Sequence, residues 1–552
     1  MGKAKRKLEA SSTAAWVGWI PRALEFLERH RRLVAIALVV FASLRIVSTY
    51  TVFNHTFDEP AHIACGMEWL DHGVYQLEAQ HPPLARVAAA LGPYLLGIRF
   101  QGAHAKVAGA MWYEGVAILE RGNYDVTLAA ARLGILPFFW IACWVVYAWG
   151  KRWAGTRVAL AALFLFSFLP VVLAHAGLAT TDMALTAFLG AAFFTGLVWL
   201  EQPTLRNALI FGAATGLMTL SKFSGLVYFP AAAILALAWY FASERPAFRS
   251  VLGAIRRRAP SFGIAVLVGA LLIWAGYRFS LGHVSFTSIR LPAPELYKGI
   301  QEVRVHNAEG HNSYLLGTVS QTGSWAFFPV AFVVKTPVAF LLLLFAAIWM
   351  IFDSPGPLRR AWLPLAFSLG IFLVAQFSRI NIGLRHILPI YLGFSLLAAA
   401  ALVRGIEKHA QSLWVTASLA AILLWFAGTS VLAHPDYLPY FNFLAGSHPE
   451  NILIDSDLDW GQDVKRLGKR LRELGATQVA FDKYIMGNPE REFGFPRFYR
   501  INPESPLVGW NAVGVTVWKL THMEKWPDRY LPTERVGKSM LLWYFPPPAS
   551  SQ

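Results

Sequence analysis

Long apolar segments recur along the chain, and short polar or charged stretches separate them. Most are close to the ~20 residues that an α-helix needs to cross a bilayer. We predict eleven transmembrane helices, at 33–53, 128–149, 157–174, 181–200, 207–221, 224–242, 261–279, 326–351, 362–378, 384–403 and 412–432. The predicted fold class is therefore an all-α polytopic membrane protein.

The distribution of positive charge predicts how these helices are oriented. Alternate connections lie on one side of the membrane: 1–32, 150–158, 201–207, 243–259, 353–361 and 404–411. Together these segments contain 21 Lys and Arg residues, whereas the first long loop on the other side, 54–127, contains four. Because cytoplasmic loops are enriched in Lys and Arg, we expect a cytoplasmic N-terminus and an extracytoplasmic C-terminus.

The chain divides into three parts on this interpretation. Residues 1–32 form a cytoplasmic basic segment, of which 16–32 are amphipathic and are expected to lie on the inner membrane surface. Residues 33–432 form the transmembrane domain, with long outer loops at 54–127 and 280–325. Residues 433–552 form a small extracytoplasmic domain.

Residues 433–552 have the pattern of a small α+β domain. Strands are predicted where β-branched and aromatic residues cluster, at 451–455, 478–481, 512–518 and 539–545. A helix is predicted over 464–474, where apolar residues recur at helical spacing, with Asp457 and Asp459 as candidate N-caps.

Composition agrees with a membrane protein. Of 552 residues, 56% are hydrophobic and only 15% are charged. The formal net charge of +16 would suit a nucleic-acid partner, but much of it lies in short loops, where it sets topology and meets anionic headgroups. The two cysteines, Cys65 and Cys143, lie in a loop and in a predicted span, so we expect no disulfide.

The first candidate for chemistry is Asp58-Glu59, which follows the first span directly. A carboxylate here can act as a base towards an acceptor hydroxyl that attacks a sugar, and the departing phosphate then needs cationic stabilisation. The alternative is that both are solvated loop charges or mark a helix N-terminus, which the following Pro60 would suit. The dipeptide alone leaves both interpretations open.

Two further motifs lie at the same predicted membrane boundary. His81-Pro82-Pro83-Leu84 contains paired prolines, which form a rigid turn that can hold His81 in place, or simply lead into a helix. Asp182 ends the short outer hairpin 175–182. It can face the same pocket as Asp58, although either Asp182 or Thr181 could also cap the helix that follows.

Four basic residues lie near the outer boundary, against the overall charge trend: Arg132, Lys222, Arg379 and Arg385. A lone cation in a membrane segment is costly unless it pairs or reaches the interface. These side chains are candidate ligands of an anionic phosphate, and snorkelling to the boundary is the alternative for each.

The order of these motifs resembles that of membrane-embedded transferases of the GT-C superfamily, family 39-like. These are enzymes of the protein O-mannosyltransferase and aminoarabinose transferase type, and the likeness is to bacterial members. In that family an Asp-Glu pair in the first outer loop precedes a His-Pro-Pro-Leu segment, and both stand here. Residues 310–317, 325–336 and 455–463 also resemble bacterial members, so the likeness covers nearly the whole chain.

The resemblance implies a GT-C fold and inverting transfer of a sugar from a polyprenyl-phosphate-linked donor. The acceptor would be a protein, lipid or envelope-glycan hydroxyl at the outer face of the inner (plasma) membrane. By position, Asp58 matches the catalytic acidic residue and Arg132 matches an arginine near the donor phosphate. Glu59 and Asp182 are expected to orient the acceptor or the sugar. Some relatives have an acidic metal ligand just before the Pro-Pro pair. Gln80-His81 stands there instead, so metal ligands and a divalent cofactor stay open.

The main rivals to this enzyme are a secondary transporter and a protein that binds lipid-linked glycans. Transporter sites usually lie near the bilayer midplane, often between inverted repeats. Here the charges gather at the outer boundary and no repeat is visible, which favours the enzyme. The aspartates of 455–463 have no assigned role: they would bind a cation or cap the following helix.

Overall fold

The computed structural model describes residues 22, 24–102, 107–284, 287–353, 361–521, 523 and 525–547. The basic N-terminus, the start of the amphipathic stretch at 16–21 and most of the loop 353–361 lie outside these residues. Up to residue 432 the helices are α1 (Arg31–Val47), α2 (Glu59–Asp71), α3 (Pro83–Leu95), α4 (Ala110–Glu120), α5 (Tyr124–Leu133), α6 (Leu136–Ala154), α7 (Thr156–Phe168), α8 (Pro170–Ala176), α9 (Asp182–Glu201), α10 (Leu205–Ser221), α11 (Gly225–Glu244), α12 (Phe248–Gly276), α13 (Pro294–Glu309), α14 (Phe327–Lys335), α15 (Val338–Asp353), α16 (Trp362–Ala375), α17 (Ile390–Lys408) and α18 (Leu413–Leu432).

Each of the eleven predicted apolar runs contains a helix or a pair of helices. Within the described ranges six helical units are long and apolar enough to cross a membrane, or up to eight if two bent pairs each count as one span. The pair α7–α8 bends by 66° and the pair α14–α15 by 114°. Proline stands at both breaks, Pro170 and Pro337, because it lacks the N–H that would continue the helix. This architecture confirms a mostly helical, multi-pass fold.

The other three runs, in α1, α10 and α16, form shorter helices of 17, 17 and 14 residues. Length alone therefore identifies fewer spans than the eleven predicted. The number of helices that cross the bilayer stays a prediction.

The first long loop, 54–127, folds into α2, α3 and α4 at one end of the bundle, and α3 confirms the helix expected after the paired prolines. Gly115 of α4 lies so close to Pro60 of α2 that a Cβ there would be 1.9 Å from the Pro60 carbonyl oxygen. This contact fixes the start of α2, which carries Asp58 and Glu59. Residues 280–325 add α13 and two hairpins, β1 (Leu281–Val284) with β2 (Thr287–Pro292) and β3 (Ser313–Leu315) with β4 (Thr318–Ser320).

The C-terminal region contains a five-stranded sheet with four short helices. Its elements are α19 (Val464–Glu473), β5 (Gln478–Asp482), α20 (Pro489–Phe493), β6 (Arg497–Tyr499), β7 (Gly509–Gly514), α21 (Val515–Thr521), α22 (Trp526–Arg529), β8 (Glu534–Val536) and β9 (Met540–Phe545). The strand order is β6-β5-β7-β9-β8, and β5 runs parallel to both of its neighbours. This confirms the predicted strands at 478–481 and 539–545.

Two details of this region differ from the sequence prediction. Residues 451–455 form no strand: the segment is built of 3-10 turns, and Asp455 has a left-handed φ of 54°. At 512–518 the strand ends at Gly514, and Val515 begins a helix.

The predicted N-caps are also wrong. Asp463 precedes α19, in place of Asp457 or Asp459, and it makes no side-chain cap. Asp457 instead accepts a hydrogen bond from the Leu384 amide, and Asp459 accepts one from the Thr516 amide, so both carboxylates hold separate elements together.

Candidate active site

Asp58 lies just before α2, at the end of the bundle that carries α2–α4. Its side chain is 27% exposed, and its Oδ2 accepts a hydrogen bond from Arg385 Nη2 at 3.1 Å. Arg385 stands in a 3-10 turn between α16 and α17, and its own side chain is only 6% exposed. A partly accessible carboxylate is therefore anchored on one side by a buried cation.

Asp58 and Arg385 belong to a row of four alternating charges with Asp182 and Lys222, called here the charge row. Asp182 Oδ2 lies 3.6 Å from Arg385 Nη1, and Asp182 Oδ1 lies 2.6 Å from Lys222 Nζ. Asp182 is the first residue of α9, and Lys222 directly follows α10. Two carboxylates and two cations from four distant parts of the chain thus meet at one end of the bundle.

The contacts of Asp182 decide between its two predicted roles. Thr181 occupies the N-cap position of α9 and makes no side-chain cap. The Asp182 carboxylate is fully buried and contacts Lys222 and Arg385 instead. Its place in the structure is therefore in the charge row, not at a helix cap.

Glu59, adjacent to Asp58, faces the opposite way and is fully buried. Its two oxygens accept hydrogen bonds from Arg132 Nε and Nη2, both at 2.8 Å, and from the amides of Thr56 and Ala179. Burial alone would raise the pKa of Glu59, but the Arg132 guanidinium and these donors hold it below its usual value.

Arg132 differs from the expected donor-phosphate ligand. Besides its two bonds to Glu59, it donates to the backbone oxygens of Tyr50, Phe53 and Asn54. Its five N–H groups are therefore directed at protein acceptors, and the side chain is 1% exposed. In this structure the Arg132–Glu59 pair joins α5 to the loop that carries Asp58.

His81 lies beside a second buried ion pair, between Arg86 and Glu78. Its Nδ1 is 3.2 Å from Arg86 Nη2 and 3.6 Å from Glu78 Oε2, and its ring is 5.2 Å from that of His62. Burial lowers the pKa of His81, although Glu78 opposes that effect. The positive charge of Lys222 further lowers the pKa of His81.

Arg379 lies apart from the contacts of the charge row. It is exposed, its amide donates to Asn307 Oδ1 at 3.0 Å, and its Nη1 donates to the Ala308 carbonyl at 3.1 Å. These contacts of Arg379, a candidate phosphate ligand by sequence, are with α13 and not with Arg385 or Lys222.

Three residues that no sequence motif assigned to the site also lie around Arg385: Asp455, Ser456 and Trp460. Ser456 Oγ accepts from Arg385 Nε at 3.0 Å, and the Arg385 guanidinium carbon lies 4.1 Å from the centre of the Trp460 ring. Asp455 Oδ2 accepts from Tyr484 at 3.1 Å, and burial raises the pKa of Asp455 to about 7. The run of aspartates at 455–463 was the one sequence signal that pointed here.

Whether the protein binds a metal ion stays open. Across the described ranges, no three His, Cys, Asp or Glu side chains are grouped so that they would hold a metal ion. The imidazoles of His306 and His311 lie close together, 3.2 Å apart at nearest nitrogens, and His306 contacts the Gln80 amide.

The profile of one protein family matches the chain. This family, dolichyl-phosphate-mannose-protein mannosyltransferase, matches residues 124–256, which is less than half of the chain. The match covers α5 to α11 and the beginning of α12, and so includes Arg132, Asp182 and Lys222. A comparison with curated protein sequences finds no significant match.

Several solved structures are similar to this chain. ArnT from Cupriavidus metallidurans, bound to undecaprenyl phosphate, has a TM-score of 0.52 at 12% identity, over 92% of this chain and 97% of that one. The Archaeoglobus fulgidus oligosaccharyltransferase complexed with Zn and sulfate scores 0.46 at 12% identity, over 87% and 68%. The S. cerevisiae protein O-mannosyltransferase Pmt1-Pmt2 complex bound to the sugar donor scores 0.33 at 16% identity, over 45% and 33%.

The fold comparison rests on ArnT, which is matched over almost its whole length. The family match and this fold together indicate a membrane glycosyltransferase of the GT-C type, as the sequence motifs predicted.

Proposed function

We propose that this protein transfers a sugar from a polyprenyl-phosphate-linked donor to an acceptor hydroxyl, with inversion at the anomeric carbon. The observation that carries the proposal is the charge row, in which the partly exposed Asp58 is held 3.1 Å from Arg385 and Arg385 continues to Asp182 and Lys222. Two facts support the proposal: a partly exposed carboxylate lies beside buried cations, and the fold is shared with an undecaprenyl-phosphate-bound protein.

Asp58 is the proposed general base. In a single inverting displacement, the acceptor oxygen attacks the anomeric carbon, its proton passes to the Asp58 carboxylate, and the bond from that carbon to the phosphate oxygen breaks. A positioned base contributes typically 10²–10⁴-fold to such a step. The 27% exposure of Asp58 leaves a face open to an acceptor.

Lys222 and Arg385 are the proposed ligands of the donor phosphate. The leaving polyprenyl phosphate carries extra negative charge as the bond breaks, and preorganised cations stabilise that charge. Both cations are oriented by Asp182, which we assign as a positioning residue. His81, beside the Glu78–Arg86 pair, and the exposed Arg379 are kept as candidate substrate contacts.

Glu59 and Arg132 take a supporting role in this proposal. Their two-fold hydrogen-bonded contact fixes the loop 54–59 against α5, and Asp58 belongs to that loop. We therefore assign Arg132 to holding Asp58 in place, which replaces its expected contact with the donor phosphate.

The test compares unmodified protein with Asp58→Asn, offered a panel of polyprenyl-phosphate sugars and acceptors. Release of polyprenyl phosphate is expected to fall 10²–10⁴-fold in the variant. Asp125→Asn is a matched control, because Asp125 is also a partly exposed carboxylate paired with a cation, Lys465 at 2.6 Å. Equal turnover by Asp58→Asn refutes its role as the base, and retention of anomeric configuration refutes inversion.

The proposed location is the inner (plasma) membrane, with residues 433–552 and the charge row on the extracytoplasmic side. The positive-inside distribution of Lys and Arg supports this orientation. Both native cysteines, Cys65 and Cys143, are buried. We therefore expect a thiol reagent to react with an introduced surface cysteine and not with these two. A membrane-impermeant thiol reagent should label Lys469→Cys in intact cells and leave Arg404→Cys unlabelled; the reverse result overturns this topology.

A further inference from the structure

The segment 455–463 of the C-terminal region is packed against the loop that carries Asp58. The carbonyl of Trp460 accepts a hydrogen bond from the Phe57 amide at 3.0 Å. The ring of Tyr484 stacks on that of Phe57, with centroids 5.4 Å apart. The residue directly before Asp58 is therefore held by the C-terminal region at both its backbone and its side chain.

Ser456 is the member of this segment that reaches the charge row. Ser456 is 1% exposed. Its hydroxyl accepts a hydrogen bond from Arg385 Nε at 3.0 Å and donates one to the Ile382 carbonyl at 2.5 Å. The same hydroxyl therefore donates to the backbone just before the Arg385 turn and accepts from the Arg385 side chain.

The approach of Ser456 depends on a glycine in that turn. A Cβ at Gly383 would lie 2.1 Å from Ser456 Oγ, which is shorter than the contacts that Cβ atoms make in proteins. The Trp460 ring covers one face of the Arg385 guanidinium, with the ring centre 4.1 Å from the guanidinium carbon. The Arg385 guanidinium is therefore held at its Nε edge by Ser456 and over its face by Trp460, while Nη2 points to Asp58.

We propose that Ser456 is a positioning residue, whose hydroxyl fixes the Arg385 guanidinium in the orientation that anchors Asp58, so that the C-terminal region completes the active site. This inference rests on the proposed transfer reaction. Ser456 touches neither substrate nor reacting atoms and acts through Arg385. A displacement of about 1 Å at a catalytic group can cost on the order of 10²-fold in rate.

The test is a double-mutant cycle on the purified full-length protein. Ser456→Ala is expected to lower release of polyprenyl phosphate about 10- to 100-fold, and Ser456→Thr, which keeps a hydroxyl, to recover most of it. In an Arg385→Lys background, which has no Nε donor, Ser456→Ala should cost little more, because coupled residues are not additive. A purely structural role would give the same loss in both backgrounds, and that result overturns the inference.

Ser539→Ala is the matched control. Ser539 is also a fully buried serine of the C-terminal region with a side-chain hydrogen bond, to Asp463 Oδ2 at 2.9 Å, but it contacts none of the charge row. Turnover by Ser539→Ala should stay within about twofold of that of the unmodified protein. If Ser456→Ala does not fold, Ser456→Cys tests the same contact, because a thiol of similar shape is a weaker hydrogen-bonding group; full turnover by Ser456→Cys would overturn the inference.

The two possible failures are distinguishable. No turnover by the unmodified protein with every donor overturns the proposed function and this inference together. Turnover by the unmodified protein that Ser456→Ala matches overturns this inference alone.

Discussion

Replacement of Arg132 by methionine, with Glu59 left in place, separates a structural role of Arg132 from a role in donor binding. The change leaves the Glu59 carboxylate fully buried with two amide donors, Thr56 and Ala179, but without its cation. Removal of one partner of a buried ion pair typically destabilises a protein by about 3–5 kcal/mol. For a chain of this length that corresponds to a fall in the unfolding midpoint of roughly 3–4 °C.

The measurement is thermal unfolding in detergent, followed by the fluorescence of the chain's 21 tryptophans. The double variant Glu59→Gln/Arg132→Met removes both charges and should recover about 0.5–3 kcal/mol relative to the sum of the single changes. Arg157→Met is the control, because Arg157 is 31% exposed and pairs at the surface, where such contacts are worth about 0–1 kcal/mol.

Binding of polyprenyl phosphate, measured well below the midpoint, completes this test. If Arg132 is structural, the dissociation constant changes little in the variant once unfolded protein is excluded. An unchanged midpoint together with a dissociation constant raised tenfold or more would refute the structural role and restore Arg132 as a phosphate ligand.

Three further predictions follow from the site and its supports. Lys222→Met should weaken polyprenyl-phosphate binding at least about tenfold, because a buried charge-assisted contact is lost; an unchanged dissociation constant excludes Lys222 as a ligand. Burial raises the pKa of Asp455 to about 7, against an ordinary ~3.9 in the unfolded chain. The contribution of Asp455 to the free energy of unfolding is therefore fully present below pH 4 and is lost as pH rises through 7, by up to about 4 kcal/mol. The unfolding midpoint of the unmodified protein should therefore fall more between pH 5 and 8 than that of Asp455→Asn, and parallel curves would contradict this. Gly115→Ala should lower the midpoint and activity by overpacking against Pro60, at about 1–3 kcal/mol or more, whereas Gly428→Ala, with open space around it, should be neutral or stabilising.

The sequence predicted the helices well because the signal for them is local. A run of about 20 apolar residues is visible without any knowledge of its neighbours, and all eleven runs contain helix. The misassigned strand at 451–455 shows the limit of this reasoning. Its apolar residues Leu453 and Ile454 are buried by packing of the segment against other elements, so their pattern reflects tertiary contacts and not a strand.

The charged residues of the site were found because ionisable groups are costly at a membrane boundary. Their partners were not, because pairing is a long-range property. Asp58 and Glu59 are neighbours in sequence, yet Asp58 pairs with Arg385, 327 residues later, and Glu59 with Arg132, 73 residues later. Nothing in the local pattern distinguishes these two choices. The contact of Ser456 with Arg385 has the same origin.

Asn54 ties the loop before Asp58 to the far end of the chain. Its side-chain Nδ2 donates to the Gly461 carbonyl, 407 residues later, and its side-chain Oδ1 accepts from the Lys465 amide, 411 residues later. Ribosomes add about 5–20 residues per second, so roughly 20–80 s separate the synthesis of Asn54 from that of its partners. During biogenesis the loop that carries Asp58 is therefore synthesised well before the residues that hold it. A chain truncated before residue 456 would lack the contacts that Trp460, Gly461 and Lys465 make with this loop.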